Sequence, residues 1–367
     1  MAAEATNYQC PSCTGPLHYS GESGMLECEY CGSKFEVSEI EKLYAHKDDE
    51  KTWTEDREQE LDGEEDQGEY ATGAERWEAK GMKAYSCPSC GAELVCDETT
   101  AATSCPYCGN PSIISEQFAD MLRPDYVLPF RLDKQRAKEA LKKYYKGKML
   151  LPGSFSRENH IDEIKGVYVP FWLYDAEADA DISYAATRVF SIVRGDERIT
   201  TTEHYLLRRA GTVRFERIPV DGSSKMPDAH MDAIEPFDYS ELKDFSTAYL
   251  PGFLADKYDV DAKECGKRAD ERARNTAVAL MRDSVIGYNT CISTRETVRL
   301  RRKNVRYALL PVWMLSTRWK GKNFLFAMNG QTGRLVGDLP ISWVKFAAWF
   351  AGISLPLMGL MYLLLGG

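Results

Sequence analysis

From Met1 to Ser33 the chain has no lysine or arginine, and from Ala84 to Leu122 it again has none. Proteins that grip a nucleic-acid backbone do so with these two residues, whose phosphate contacts release counterions and supply most of the non-specific affinity. Both stretches are therefore excluded as backbone-binding modules. Histidine is scarce too: His18, His46, His160, His204 and His230 are the full complement, and none falls at metal spacing. No G-x-x-x-x-G-K-[ST] loop occurs, which removes P-loop nucleotide chemistry and any helicase built on it. No G-x-S-x-G, H-E-x-x-H or G-x-G-x-x-G occurs either. Nothing at Met1 to Tyr8 resembles a signal peptide.

Against these absences one pattern is written twice. Cys10-Pro11-Ser12-Cys13 is followed by Cys28-Glu29-Tyr30-Cys31, and Cys87-Pro88-Ser89-Cys90 by Cys105-Pro106-Tyr107-Cys108. In each case 14 residues separate the pairs, and all four positions recur after a shift of 77. Two Cys-x-x-Cys pairs brought together place four thiolates at the corners of a tetrahedron, which is what a structural Zn²⁺ requires. Gly32, Gly91 and Gly109 directly follow the second cysteine of a pair, where the backbone must turn tightly beneath the metal. Disulfides are the plain alternative, but they suit a secreted chain. With four cysteines each, the sites are closed to water and substrate, so the two expected zinc ions are structural. Metal binding would supply about 10 kcal/mol to the folding of each small module. Cys96 is out of register with any ligand position and reads as a small buried residue.

Composition sets the remaining bounds. The chain of 367 residues has 44% hydrophobic residues, with 20 Tyr, 14 Phe and 7 Trp, ample for a packed core, and a formal net charge of -10 that repels a polyanion. Acidity concentrates between Lys47 and Tyr70, where twelve Asp and Glu meet only Lys47, Lys51 and Arg57. The segment 45–80 reads as a solvated acidic linker between ribbon 1 (residues 8–36) and ribbon 2 (residues 85–112). A sharper reading docks it on a basic surface.

After Lys345 no charged residue occurs, and Phe346 to Leu365 reads FAAWFAGISLPLMGLMYLLL. Twenty residues at 1.5 Å rise span about 30 Å, the hydrocarbon thickness of a bilayer. Trp343, Trp349 and Tyr362 lie where interfacial rings belong, so residues 343–365 are expected to form a transmembrane helix, mildly kinked at Pro356. Lys320, Lys322, Arg334 and Lys345 precede it. The positive-inside rule then predicts a tail-anchored, single-pass protein of the cytoplasmic (inner) membrane with its N-terminal bulk in the cytoplasm.

Between lies an α+β region, residues 124–341. Helical spacing is seen over Leu132–Tyr145 and Asp261–Ile286, and aromatic or β-branched runs at Ile182–Ile192, Glu203–Leu207 and Val213–Ile218 predict strands of a mixed antiparallel sheet. Phe324–Met328 and Leu335–Val336 flank Asn329-Gly330-Gln331-Thr332-Gly333, a hairpin with a glycine turn. Pro129-Phe130, Leu151-Pro152-Gly153 and Tyr168-Val169-Pro170-Phe171-Trp172 are echoed by Pro236-Phe237, Leu250-Pro251-Gly252 and Leu309-Leu310-Pro311-Val312-Trp313, the mark of a duplicated unit. Arg194-Gly195-Asp196 reads as a turn. Arg299, Arg301, Arg302, Lys303 and Arg306 crowd before Tyr307, either as an exposed strand balanced by acids or as a patch for anionic lipid or the acidic linker.

The order of features, two ribbons reading CPSC and CxYCG, an acidic spacer, VPFWLYD, LLPVWML, FAMNGQTGRLVGDLP and a terminal span, resembles a family of bacterial TFIIB-type zinc-ribbon membrane proteins. Members are similar to the membrane partner encoded beside phage-shock protein A. The resemblance implies a scaffold that recruits phage-shock-protein-A-like or flotillin-like adaptors to the bilayer in envelope stress. Cys265 and Cys291, each alone, read as buried small residues and not as nucleophiles, so the expectation is a non-enzymatic scaffold with Cys10, Cys13, Cys28, Cys31, Cys87, Cys90, Cys105 and Cys108 as its metal ligands. The rival reading is a membrane-tethered nucleic-acid-binding regulator.

Overall fold

The computed structural model describes residues 8–45, 71–72, 76–77, 82–97, 105–108, 114–116, 121–158 and 161–365. The first ribbon is a three-stranded antiparallel sheet, β1 (Leu17–Ser20), β2 (Met25–Cys28) and β3 (Lys34–Phe35), closed by α1 (Val37–Ala45). Leu17 and Tyr19 point inward while His18 and Ser20 face out, the period-two alternation of a half-buried strand. This ribbon does not project. The Tyr8 hydroxyl lies 3.0 Å from Thr247 Oγ1, and the Tyr19 N–H donates to the Pro251 carbonyl. Gly21 comes so near Phe130 that a Cβ there would sit 2.4 Å from its carbonyl oxygen. Leu17, Leu26 and Ile40 thus share one core with Phe130 and Phe253.

Of the 45–80 linker, Ala45 closes α1, β4 (Ala71–Thr72) and β5 (Arg76–Trp77) are strands, and residues 46–70 lie outside the described residues. The second ribbon follows as β6 (Met82–Ser86), β7 (Glu93–Asp97) and β8 (Ile114–Glu116), and β9 (Met121–Leu122) pairs with β5. This ribbon is woven into the main sheet.

That sheet is built on two strands of 30 residues each. After β10 (Tyr126–Val127), α2 (Lys134–Tyr145) and α3 (Gly153–Glu158), β11 (Lys165–Arg194) runs out and β12 (Glu197–Asp221) runs back. Next come α4 (Asp228–Ala233), β13 (Lys243–Asp244), β14 (Leu254–Asp256) and α5 (Ala262–Asp283). The second long strand, β15 (Thr290–Trp319), then turns into β16 (Lys322–Asn329) and β17 (Leu335–Gly337). At about 3.3 Å per residue each long strand measures roughly 100 Å. β11 and β15 pair antiparallel over most of that length, from Lys165 opposite Met314 to Thr187 opposite Thr290. The hairpin reading of Phe324–Met328 and Leu335–Val336 is met by β16 and β17.

One set of contacts occurs twice about this central pair. The Gly222 N–H donates to the Pro170 carbonyl, and the Gly330 N–H to the Pro311 carbonyl. The Trp172 indole donates to Val260 and the Trp313 indole to Leu132, one residue before Asp261 and Asp133, which cap α5 and α2. β14 runs parallel to β11, as β10 does to β15. The matching helices are α2 and α5, whereas the sequence echo set Pro129-Phe130 beside Pro236-Phe237, a region that forms only short turns and β13.

Beyond the core, β12, β11 and β15 continue as a three-stranded arm. One face is covered by α5, whose Ala273 and Ala277 allow close approach to Ala178, Ala180 and Val298. Past Thr187 only the β11–β12 hairpin remains, turning at Gly195 with φ +65°, and its Phe190, Ile192, Val193 and Ile199 are exposed.

At the other end of β15, α6 (Trp343–Leu365) carries Pro356 within it. Its first turn is tied down by the Ser342 N–H donating to Leu150 O and Lys345 Nζ donating to Leu151 O. Among the described residues no helix is long and apolar enough to cross a membrane. The side chains of Leu360 and of residues 362–365, part of the expected span over 343–365, lie outside the described residues.

Candidate metal centres

The eight cysteines singled out in the sequence gather into two groups of four, Cys10, Cys13, Cys28 and Cys31, and Cys87, Cys90, Cys105 and Cys108. In each group all four sulfurs lie within 4.8 Å of one another. Cys10 Sγ lies 3.5 Å from Cys31 Sγ and Cys13 Sγ 3.5 Å from Cys28 Sγ; the equivalent separations in the second group are both 3.6 Å. A tetrahedral ion with metal–sulfur bonds of about 2.3 Å has edges of about 3.8 Å, so a tetrahedral ion fits both cages with little adjustment.

Local backbone geometry explains why these loops form. In three of the four knuckles a tight turn brings an amide back to the first cysteine: Thr14 N–H to Cys10 O, Gly32 N–H to Cys28 O, and Gly91 N–H to Cys87 O. All three donors take positive φ, +61°, +71° and +69°. Glycine adopts that conformation freely, but Thr14 is β-branched and strained there. The sequence reading found the glycines and missed the threonine. Gly109 lies outside the described residues.

Electrostatics favours thiolate at one corner. The Ser33 hydroxyl, 3.2 Å from Cys31 Sγ, and the Ser33 backbone N–H draw the Cys31 thiol down to about 6. Burial pushes Cys105 well up, so that ligand needs the metal's charge to ionise.

The two centres differ in how they attach. Tyr107, between the ligands Cys105 and Cys108, donates its hydroxyl to Asp256 Oδ2, which also accepts from Ser223 Oγ at 2.7 Å. Asp256 is 1% exposed, and burial raises its carboxyl to about 7. β7 meanwhile pairs with β14 through Val95 and Leu94, opposite Ala255 and Asp256. Sequence gave no signal for Asp256, a lone carboxylate in a short apolar run.

The remaining candidates do not assemble. Cys96 and Cys265 are buried, and burial pushes the Cys265 thiol up to about 12, against nucleophilic use. His18, His204 and His230 lie apart; His46 and His160 fall outside the described residues. The five-residue basic cluster lies inside β15. Arg301 and Lys303 reach Glu177, while Arg302, on the opposite face, pairs with Asp270 of α5.

No protein-family model and no solved structure matches the chain. It is 34% identical over 348 residues to the uncharacterized protein YdjG of Bacillus subtilis (strain 168), covering 95% of this chain and 94% of that one. The chain belongs to the YdjG family.

Proposed function

We propose that the chain is a non-enzymatic, single-span membrane scaffold of the cytoplasmic membrane. In this reading two structural zinc ions staple the corners of a rigid platform that gathers cytoplasmic adaptor proteins. The observation that carries it is α6. Trp343, Val344, Phe350, Leu355 and Met358 are all more than half exposed on a helix of 23 residues, whose only described ties to the rest of the chain are at its first turn. So much apolar surface on one helix favours a cover; the described residues alone are not long and apolar enough to span, and the reading counts the whole sequence of α6, whose 23 residues at 1.5 Å rise reach about 34 Å. Zinc is supported by four closed thiolate donors at tetrahedral spacing. The adaptor class, phage-shock-protein-A-like or flotillin-like, rests on the family resemblance alone.

The test is purification of the full chain from carbonate-washed membranes in mild detergent, with metal analysis and immunodetection of those adaptors. Two zinc ions per chain, resistance to carbonate extraction and recovery of an adaptor are expected. Release by carbonate, or a partnerless preparation, would defeat the scaffold reading.

A further inference from the structure

β12 pairs with β11 on one side and, among the described residues, with no strand on the other. Such an edge offers a row of backbone donors and acceptors to any strand that can match it. Two contacts on the far side of β11 fix which residues do the offering. The Asn289 N–H donates to the Thr187 carbonyl at 2.8 Å and the Val189 N–H to Asn289 Oδ1 at 2.6 Å, so Thr187 and Val189 turn their backbone groups away from β12. Opposite residues of an antiparallel pair either bond each other or both turn away. His204 and Thr202, which face Thr187 and Val189, therefore turn theirs to the outer edge, and by alternation so do Leu206 and Arg208.

The side chains of this stretch do little to keep a partner off. Native edges are guarded by charges, prolines or bulges, yet Ile199 to Leu207 reads ITTTEHYLL, and the register of β12 on β11 is unbroken until the shift between Ala176 and Tyr174. Leu206 is 89% exposed on the open face of the arm, the one opposite α5, where it stands beside Ala185.

The edge is complementary to itself. With a two-fold axis through Leu206, perpendicular to the sheet, Leu206 meets its own copy, Tyr205 lies opposite Leu207, Glu203 opposite Arg209 and Ile199 opposite Val213. The Arg209 guanidinium already lies at this edge, donating to the Arg208 carbonyl at 3.1 Å. Moving the axis to Leu207 sets Leu206 against Arg208 and Tyr205 against Arg209; moving it to Tyr205 sets Glu203 against Leu207. The pairing ends past Ile199 and Val213, because Arg198 would meet Arg214. That stretch of strand is about 50 Å long, and a strip of that length about 10 Å thick buries about 1,000 Å² over the two copies, enough for a specific interface.

We infer that two copies of the chain associate edge to edge through β12, antiparallel, so that their arms merge into one continuous sheet with Leu206 on the axis. The exposed end of each hairpin then gains a cover, since Ile199 comes to lie beside Val213 of the second copy, which packs under α5. The inference does not rest on the membrane reading.

Light scattering on the gel-filtered full chain in non-ionic detergent, with the detergent's mass subtracted, reads the association directly. Particles of two chains are expected at micromolar concentration, separating on dilution. Leu206→Lys sets like charges across the axis and Glu203→Arg sets arginine against arginine; each is expected to raise the dissociation constant at least about tenfold. Adding Arg209→Glu to Glu203→Arg restores opposite charges and is expected to bring the constant back to within about threefold of the parent. A variant that merely unfolds shows no such rescue, and thermal unfolding checks each fold. In the parent, the amides of Thr202, His204, Leu206 and Arg208 are expected to exchange hydrogen at least about tenfold more slowly in the dimer than after dilution. A parent that stays a single chain at every concentration would overturn the inference and leave the edge to a strand of another protein. So would a dimer indifferent to Leu206→Lys and Glu203→Arg, which places the contact on another surface, α6 included, or a double variant that associates no more tightly than Glu203→Arg.

Discussion

Thr14 holds a backbone conformation that costs an L-residue about 1–2 kcal/mol and a glycine nothing. Thr14→Gly is therefore expected to stabilise the first ribbon by about 1 kcal/mol, read as a higher unfolding midpoint of the metal-loaded protein. Asp256 answers the opposite question. Asp256→Ala strands the Tyr107 and Ser223 hydroxyls in a buried site and is expected to cost about 2–3 kcal/mol. The pH dependence has a definite sign. In the fold this carboxyl keeps its proton to about 7, whereas unfolded it releases it near 4, so the folded chain holds more protons between those values and stability falls as pH rises through them. Asp256→Asn removes that titration. Denaturant unfolding at pH 4, 5.5 and 7 is expected to show the variant gaining on its parent at each step; a constant gap would refute the raised carboxyl.

A strand's alternation decides what a run of like residues can do. Arg299 to Arg306 looks in sequence like one basic cluster, yet β15 sends Arg301 and Lys303 to the open face and Arg302 to α5. The two groups of four cysteines were legible because Cys-x-x-Cys is local chemistry, and α2 and α5 because their apolar spacing is helical. The length of β11 was not legible: Ala176-Glu177-Ala178-Asp179-Ala180-Asp181 consists of poor strand formers, and only the close packing of α5 and pairing on both sides hold it extended. The terminal hairpin contributes nothing to the core, so replacing residues 189–200 by a two-residue turn is expected to move the melting temperature by less than about 3 °C. The second ribbon behaves differently. Because β7 is a rung of the main sheet beside β14, Cys105→Ser is expected to speed hydrogen exchange at Leu254–Asp256, while Cys28→Ser leaves those amides protected.

At the scale of the whole chain, sequence showed two ribbons, a spacer, an α+β region and an apolar run, but not their mutual docking. That docking is made by dispersed single contacts, Tyr8 with Thr247, Gly21 against Phe130 and Tyr107 on Asp256, none of which has a local signature. On the proposed membrane reading, ending the chain after Ile341 is expected to move it from the membrane pellet to the supernatant without changing the unfolding of the rest, since the described ties of α6 lie at its first turn. The two unbroken strands carry a mechanical consequence. A pull along the arm at Gly195 loads the rungs of β11 and β15 in shear, all of them together, from Thr187 and Thr290 back to Lys165 and Met314. Shear loading gives no single bond to unzip first, so force applied at the tip arrives nearly undiminished at the base, where Trp319 packs on Phe155, four residues past the Leu151 carbonyl that holds Lys345 of α6.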